Sequence, residues 1–467
     1  MKGLAAGGMV AGLVLSATPL WFGRIGKPSS PGWLIPGVIG AAWLGFAVAA
    51  LLLNRVSQRT GVILILAGAV ALVVAAGIGP PRSSDDLYRY MWDGRVQAAG
   101  VDPYRYAPAA PELRSLRDDD LWPASGRWCV RLGDVDAQNG TPLQPGCTSI
   151  NRPTVHTVYP PGAQVLFFAV HAVPGIAGVR LLGAVFALAT TVVLLIGLQR
   201  TGRDPRRAAL WAWCPVVPLE AVSNAHIDGA AACLVVAALL LLATTRTRRG
   251  GVLGAALLGL AVAVKLTPLI VVPAVLRRWP IAVLTTVSSV VGLLYLPHVL
   301  TVGGSALGYL GGYAKEEGYA SGRRFALIPL KPPAVQVVAV AVLAAAGLWA
   351  WWTSRPDQPW HAAALTTGVL LLLTTPAYPW YGLLLVGLVG LGARIEWLAI
   401  AIAGYVVRWA PQLHLKVLPA QRLGYGLAAL VVLAGWAWRR HRRAHSVGQD
   451  TAAGDWPLRA RRTPLRG

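Results

Sequence analysis

At 467 residues with a formal net charge of +23, the chain has the charge of a nucleic-acid binder but not the composition of one. It is 55% hydrophobic and 13% charged, with a mean hydropathy of +0.55, which excludes an ordinary soluble domain. Apolar runs of roughly 15–22 residues recur along it, each near the length that crosses a ~30 Å hydrocarbon core. The reading is an all-α polytopic membrane protein, because these runs are continuous and do not alternate as barrel strands would.

Taken in order, the candidate spans begin with 4–22, 33–53 and 61–79. Met1-Lys2 and the run to Phe22 mimic a signal peptide, but no small-x-small site follows, so an uncleaved first span is expected. The link Asn54–Thr60 carries Arg55 and Arg59 and is expected to be cytoplasmic. The N-terminus is then inside, and the polar stretch 80–161 is a large first extracytoplasmic loop. After it, Gly162–Pro174 is short for a crossing and reads as an interfacial or re-entrant helix. The span 178–198 ends in QRTGRDPRR, and the pair 207–222 and 226–245 ends in TRTRRG. Residues 251–276 are broken at Lys265-Leu266-Thr267-Pro268 and end in LRRWP; a Pro-broken helix at membrane depth usually lines a cavity. Spans at 281–300, 333–353, 361–376, 379–393, 395–410 and 421–438 complete about 12–14 transmembrane helices. The basic segments then all fall inside, so topology accounts for the net charge and no nucleic-acid partner is expected. Residues 1–440 form one transmembrane domain, and 441–467 a disordered, basic cytoplasmic tail.

The loop 80–161 holds 10 of the 19 acidic residues, beginning with Asp85 and Asp86 directly after the apolar run Val62–Gly79. Two carboxylates at the mouth of a span are costly to place. They serve either as a general base, with a pKa raised by partial desolvation and by each other, or as an ion-pair cluster with Arg82 and Arg89. Cys129 and Cys147 share this loop and suit a disulfide if it faces an oxidising compartment; Cys214 and Cys233 lie in apolar runs as free thiols.

Under this topology every other polar cluster also falls outside: Glu220 to Asp228, the loop 301–331, and Pro376 to Tyr381. Four clusters on one side argue for one external site. His226 and Asp228 can both reach an ion. A metal site needs three or four ligands, though, and only Glu220 and Asn224 are near in sequence. A polar wall for a sugar, or a helix cap by Asn224, fits better, so no metal or other cofactor is expected. Lys265, Arg180 and Arg408 sit in or beside apolar runs and either snorkel or meet a lipid phosphate; Arg323 and Arg324 are further candidates. No Walker loop, GxSxG elbow, HExxH or dinucleotide fingerprint is present, which disfavours ATP-driven and hydrolytic classes.

The strings SDDLYRYMWDGRVQAAGVDPYRYAP, RDDDLWP and INRPTVHTVYPPGAQ resemble polyprenol-phosphate-sugar-dependent glycosyltransferases. More closely, they resemble the actinobacterial mannosyltransferases of glycosyltransferase family 87, which share the GT-C fold. The likeness continues through PLEAVSNAHIDG, VKLTP and TPAYPWY to about residue 440. It implies that an acidic residue of the first loop is the catalytic base, matching Asp86, with Asp85 beside it. It further implies a polyprenyl-phosphate hexose donor, with mannose favoured. The acceptor would be a cell-envelope glycolipid or polysaccharide at the outer face of the plasma membrane, with both termini cytoplasmic. Another donor such as polyprenyl-phosphate arabinofuranose, or a lipid-linked-sugar transporter or flippase, are the alternatives. Tyr88, Arg89 and Tyr159 in the loop strings, and Glu220, His226, Asp228, Trp380 and Tyr381 in the later ones, are candidates for sugar or acceptor contact. Relatives run almost directly from WP to INRP. Here Ala124–Ser149 intervenes with both loop cysteines, an insertion expected to be disulfide-pinned and to shape the acceptor side.

Overall fold

The computed structural model describes residues 9–18, 33–79, 81 and 83–452, with side chains as far as 442. In chain order the α-helices are α1 (Met9–Thr18), α2 (Leu34–Leu53), α3 (Gln58–Gly77), α4 (Asp86–Ala98), α5 (Pro161–Val170), α6 (Ala177–Arg200) and α7 (Ala209–Ala212). They continue as α8 (Asp228–Thr244), α9 (Arg248–Val264), α10 (Pro280–Val302), α11 (Leu310–Glu316), α12 (Ala334–Thr353) and α13 (Trp360–Thr374). The last are α14 (Leu383–Leu391), α15 (Leu398–Trp409) and α16 (Val417–Ala452). Six helices among the described residues are long and apolar enough to cross a membrane, or seven if one bent pair counts as a span. This is an all-α multi-pass membrane fold. The remaining expected crossings are shorter apolar pieces such as α13, at 15 residues about 22 Å long and below the ~30 Å hydrocarbon thickness.

Local sequence explains the breaks. Pro218 sits at the start of the π-helical turn Val217–Ser223, and α8 leaves that turn bent by 114°. Pro268 and Pro273 turn the chain after α9 into the 3₁₀ segment Thr267–Val275, with Lys265 extended at the corner. Close approach fixes both corners. A Cβ on Gly183 of α6 would lie 2.0 Å from the Ala221 carbonyl of the π turn, and one on Gly162 of α5 would lie 2.7 Å from the backbone of Ala263.

One end of the bundle is basic. Arg206 donates to the carbonyls of Asn54 and Val56, Arg277 to those of Trp352 and Ser354, and Arg278 to that of Ala243. The links between α2 and α3, α6 and α7, and α8 and α9 therefore gather there with those before α10 and α13. The opposite end carries the loop 80–161. In that loop α4 buries Leu87, Tyr90, Trp92 and Val96, and strands β1 (Trp128–Val130) and β2 (Gly146–Thr148) pair antiparallel with Cys129 opposite Cys147 in a disulfide.

Three expectations change. Arg180 neither snorkels nor faces a ligand: its guanidinium donates to the carbonyls of Gly77, Gly79 and Ser223, tying the end of α3 to the π turn. Arg89 is buried in an ion pair with Asp93 at 2.9 Å, an internal loop contact and not a substrate one. The tail does not begin irregularly at 441, because α16 continues to Ala452 through a run without Pro; residues 453–467 lie outside the described residues.

Replacing Arg180 with Met leaves three carbonyls without this donor, so thermal unfolding in detergent should show a loss of about 2–4 kcal/mol. An unchanged melting curve would mean the clamp carries no stability.

Candidate active site

Asp85 and Asp86 open α4. The Asp86 backbone N–H donates to Ser84 Oγ at 3.2 Å, and its carboxylate sits in the first helical turn, where the helix dipole favours negative charge. The two carboxylates share one clamp: Asn151 Nδ2 donates to Asp86 Oδ1 at 2.6 Å and lies 3.2 Å from Asp85 Oδ1. Their other oxygens diverge. Asp85 Oδ2 accepts from the Trp128 indole N–H at 2.9 Å and pairs with Arg127 at 3.3 Å. Asp86 Oδ2 faces His226 Nδ1 at 3.5 Å.

Both carboxylates line a cavity of about 550 Å³ at the end of the bundle away from the basic loops. Its wall comes from seven places in the chain: Ser83–Asp86, the β1 edge, Asn151–Pro160, the Lys265 corner, the loop of α11, Tyr378–Tyr381 and Arg408. Four cations line it, among them the Arg127 already paired with Asp85. Lys265 pairs with Asp228 at 3.0 Å and lies over the Tyr381 ring at 5.4 Å. Arg408 donates to the Ser83 carbonyl, while its Nε has no acceptor among the described residues. Arg152 pairs with Glu316 at 2.9 Å. Burial would weaken the Arg152 charge, but Glu316 and then Asp86 outweigh it and hold the guanidinium above its usual range. The aromatic side is Trp380 stacked on Tyr378 at 4.6 Å, with Tyr313 and Tyr381 hydroxyls 3.0 Å apart. Burial pushes the Tyr378 phenol up to about 12. Burial, with the Asp86 charge behind it, holds Tyr159 well above the ordinary phenol range. Both stay neutral donors at physiological pH.

Of the residues singled out from sequence, Asp85, Asp86, Lys265, Arg408, Tyr159, Trp380 and Tyr381 line this cavity. Asp228 pairs with Lys265 from behind, and Glu220 and His226 are buried beneath Asp86. Arg324 pairs with Glu317 at 2.7 Å and lines a smaller adjoining pocket that shares Thr267, Tyr319 and Tyr381 with the cavity. Arg323 is exposed and Tyr88 packs half-buried in the loop core, so neither lines the cavity. Arg180 and Arg89 act behind it; Arg89 also donates to the Arg152 carbonyl at 3.3 Å, supporting a left-handed residue with φ 50°. Arg82 lies outside the described residues. Sequence reasoning passed over Asn151 and Arg152, although both stand in the INRP string, and Trp128, whose place beside Cys129 was the only signal. No group of three or more His, Cys, Asp or Glu arranged for a metal occurs among the described residues.

Residues 157–376 match the family model described as glycosyltransferase family 87. Comparisons with curated proteins and with solved structures found no match. The matched stretch includes Tyr159, His226, Lys265 and Tyr313, and excludes Asp85, Asp86 and Tyr378–Tyr381.

The hairpin's disulfide bears on the site through Trp128 and Arg127. Cys129 and Cys147 lie 18 residues apart, a separation for which loop-closure models give roughly 3 kcal/mol. Their joint replacement by Ser should expose 124–149 to proteolysis and lower transfer less than tenfold, since Asp86 keeps its own partners. A proteolysis pattern identical to wild type would mean the bond does not hold the hairpin.

Proposed function

We propose that the chain is a membrane glycosyltransferase of the GT-C type, of family 87 as the match at 157–376 supports, and that it transfers a hexose from a polyprenyl-phosphate donor. Mannose is the favoured sugar, and the acceptor is a glycolipid or polysaccharide of the cell envelope at the outer face of the plasma membrane. One observation carries this reading: a single cavity holds one carboxylate with a free face, four cations and a stacked aromatic wall, at the end of the bundle opposite the basic loops. No metal or other cofactor enters the proposal.

The chemistry asks for little more. A sugar on a lipid phosphate is already activated, because phosphate leaves without an acid. The acceptor oxygen attacks the anomeric carbon, the bond to the phosphate oxygen breaks, and the hydroxyl proton passes to Asp86. One base suffices for this inverting displacement, unlike the two carboxylates of a glycosidase. Lys265 and Arg408 take the growing negative charge of the leaving phosphate. Trp380 and Tyr381 offer a face and hydroxyl to the sugar. The basic loops at the far end support a cytoplasmic location for that end by the positive-inside rule, and with it a cavity on the outer side.

Incubating membranes with labelled polyprenyl-phosphate mannose and envelope acceptors tests the proposal directly. Asp86→Asn keeps the shape and removes the basicity, so transfer should fall about 10²–10⁴-fold while donor binding survives. Asp85→Asn should do less, since its Trp128 and Arg127 contacts tie it to the hairpin. Near wild-type transfer by both variants would put the base elsewhere.

Donor affinity tests the cations separately. Arg408→Gln should weaken donor binding by about 1.5–3 kcal/mol, the worth of a charge-assisted hydrogen bond. Lys265→Gln is best combined with Asp228→Asn, which avoids leaving a buried carboxylate alone, and should act in the same direction. Unchanged donor affinity in both would return the two cations to structural roles.

A further inference from the structure

Beneath Asp86 lies a buried pair that the displacement itself does not use. The His226 side chain is fully enclosed, and Glu220 is 1% exposed. The imidazole stacks on Trp380 with centroids 3.8 Å apart and planes at 21°, so its ring plane is fixed. Its backbone N–H donates to the Glu220 carbonyl at 2.8 Å, across the turn where Ala225 takes φ 53°. In this pose Nδ1 faces Asp86 Oδ2 at 3.5 Å and Nε2 faces Glu220 Oε2 at 3.6 Å. Glu220 is anchored beyond: Oε1 accepts from the Tyr405 hydroxyl at 2.9 Å and Oε2 from Asn224 at 2.9 Å.

The same chain shows what a purely structural buried histidine looks like. His156 satisfies both ring nitrogens, with the Tyr104 carbonyl at 2.9 Å and Asp136 at 2.8 Å. Neither nitrogen of His226 makes a hydrogen bond among the described residues, though each points at a carboxylate only a few tenths of an ångström too far. A ring fixed by stacking between two carboxylates is placed to pass a proton and is not locked to either.

We propose that His226 relays the acceptor's proton from Asp86 to Glu220, which rests on the reading of Asp86 as the base. The neutral ring starts with its proton on Nε2. Protonated Asp86 gives its proton to Nδ1 as Nε2 gives its own to Glu220 Oε2. Asp86 is a carboxylate again, the ring is neutral in its other tautomer, and Glu220 carries the proton. After product and polyprenyl phosphate leave, the same path run backwards returns the proton to Asp86 and from there to cavity water. His226 touches no substrate and is a positioning residue acting through Asp86. The charged groups that bear on it are Asp86, Glu220, Lys265 and Arg408.

The test uses purified full-length enzyme with labelled donor and acceptor, comparing Glu220→Gln, His226→Gln and Asp86→Asn. The first two should lower kcat about 10–10²-fold, leave the KM of both substrates within threefold, and move the acid limb of the kcat–pH profile. The double variant Asp86→Asn/Glu220→Gln should be no slower than Asp86→Asn alone, since a relay without its base has nothing to carry. Glu220→Gln with wild-type kcat and profile overturns the relay. So does a lower kcat with an unchanged profile and an additive double variant, which is what a structural role gives. If His226→Gln fails to fold, Glu220→Gln carries the test by itself. An active Asp86→Asn sinks the base assignment, whereas a dead Asp86→Asn beside an unaffected Glu220→Gln sinks the relay alone.

Discussion

The arrangement depends on how Arg180 is used. A guanidinium in an apolar bundle must find acceptors, and this one finds backbone carbonyls freed where two helices stop. Gly77 and Gly79 end α3; Ser223 ends the π turn before α8. Binding them to one rigid planar group brings the chain leading into Asp85 against the chain leading into His226. Ser83 and Asn224 then bond twice, backbone N–H to Oδ1 at 3.1 Å and Nδ2 to Oγ at 2.7 Å. That junction joins stretches 141 residues apart in sequence, beside the apolar packing of Leu87 and Tyr90 with Ala225 and Ile227.

Breaks in apolar helices are therefore where the polar groups of the candidate site gather. Each leaves peptide groups that a bilayer cannot solvate, so each must be covered by polar partners or open on a wet cavity. The π turn is covered by Arg180 and by α6 pressing on it at Gly183. The corner after α9 opens instead, and it carries Lys265 into the cavity. Polar residues at these breaks suit a wet cavity at membrane depth.

Much of this could be read from sequence, and the remainder for identifiable reasons could not. Hydropathy marked the chain as a multi-pass helical bundle, the Lys265–Pro268 string marked the corner after α9, and two cysteines in a polar loop marked the disulfide, because each signal is local. Arg180 and Arg89 looked like ligand-facing cations because a one-dimensional pattern shows their charge and depth but not the carbonyls or the Asp93 carboxylate they meet. Asn151, Arg152 and Trp128 escaped for the converse reason. An amide, a loop cation and an indole carry no chemical signature until folding brings them to the cavity. The 12–14 expected crossings exceed the six or seven full-length helices among the described residues, where apolar runs such as those of α13–α15 are cut below bilayer thickness by turns that composition alone does not count.

The adjacency of Asp85 and Asp86 shows why contacts decide where sequence position does not. Two carboxylates one residue apart would compete for one role if their surroundings matched. On a helix start they point about 100° apart, so they meet different neighbours. Asp85 turns toward the hairpin, where Trp128 and a largely exposed Arg127 meet one oxygen and Asn151 the other. Asp86 shares only Asn151 and leaves its second oxygen toward the enclosed imidazole. Asp85 is thus fixed through both oxygens, whereas Asp86 is fixed through one and keeps the other turned to the imidazole. The insertion 124–149 therefore does more than lengthen the loop. Its hold on one oxygen of Asp85, added to that of Asn151 on the other, leaves Asp86 the less constrained of the two, which is the asymmetry that the proposed base at Asp86 calls for.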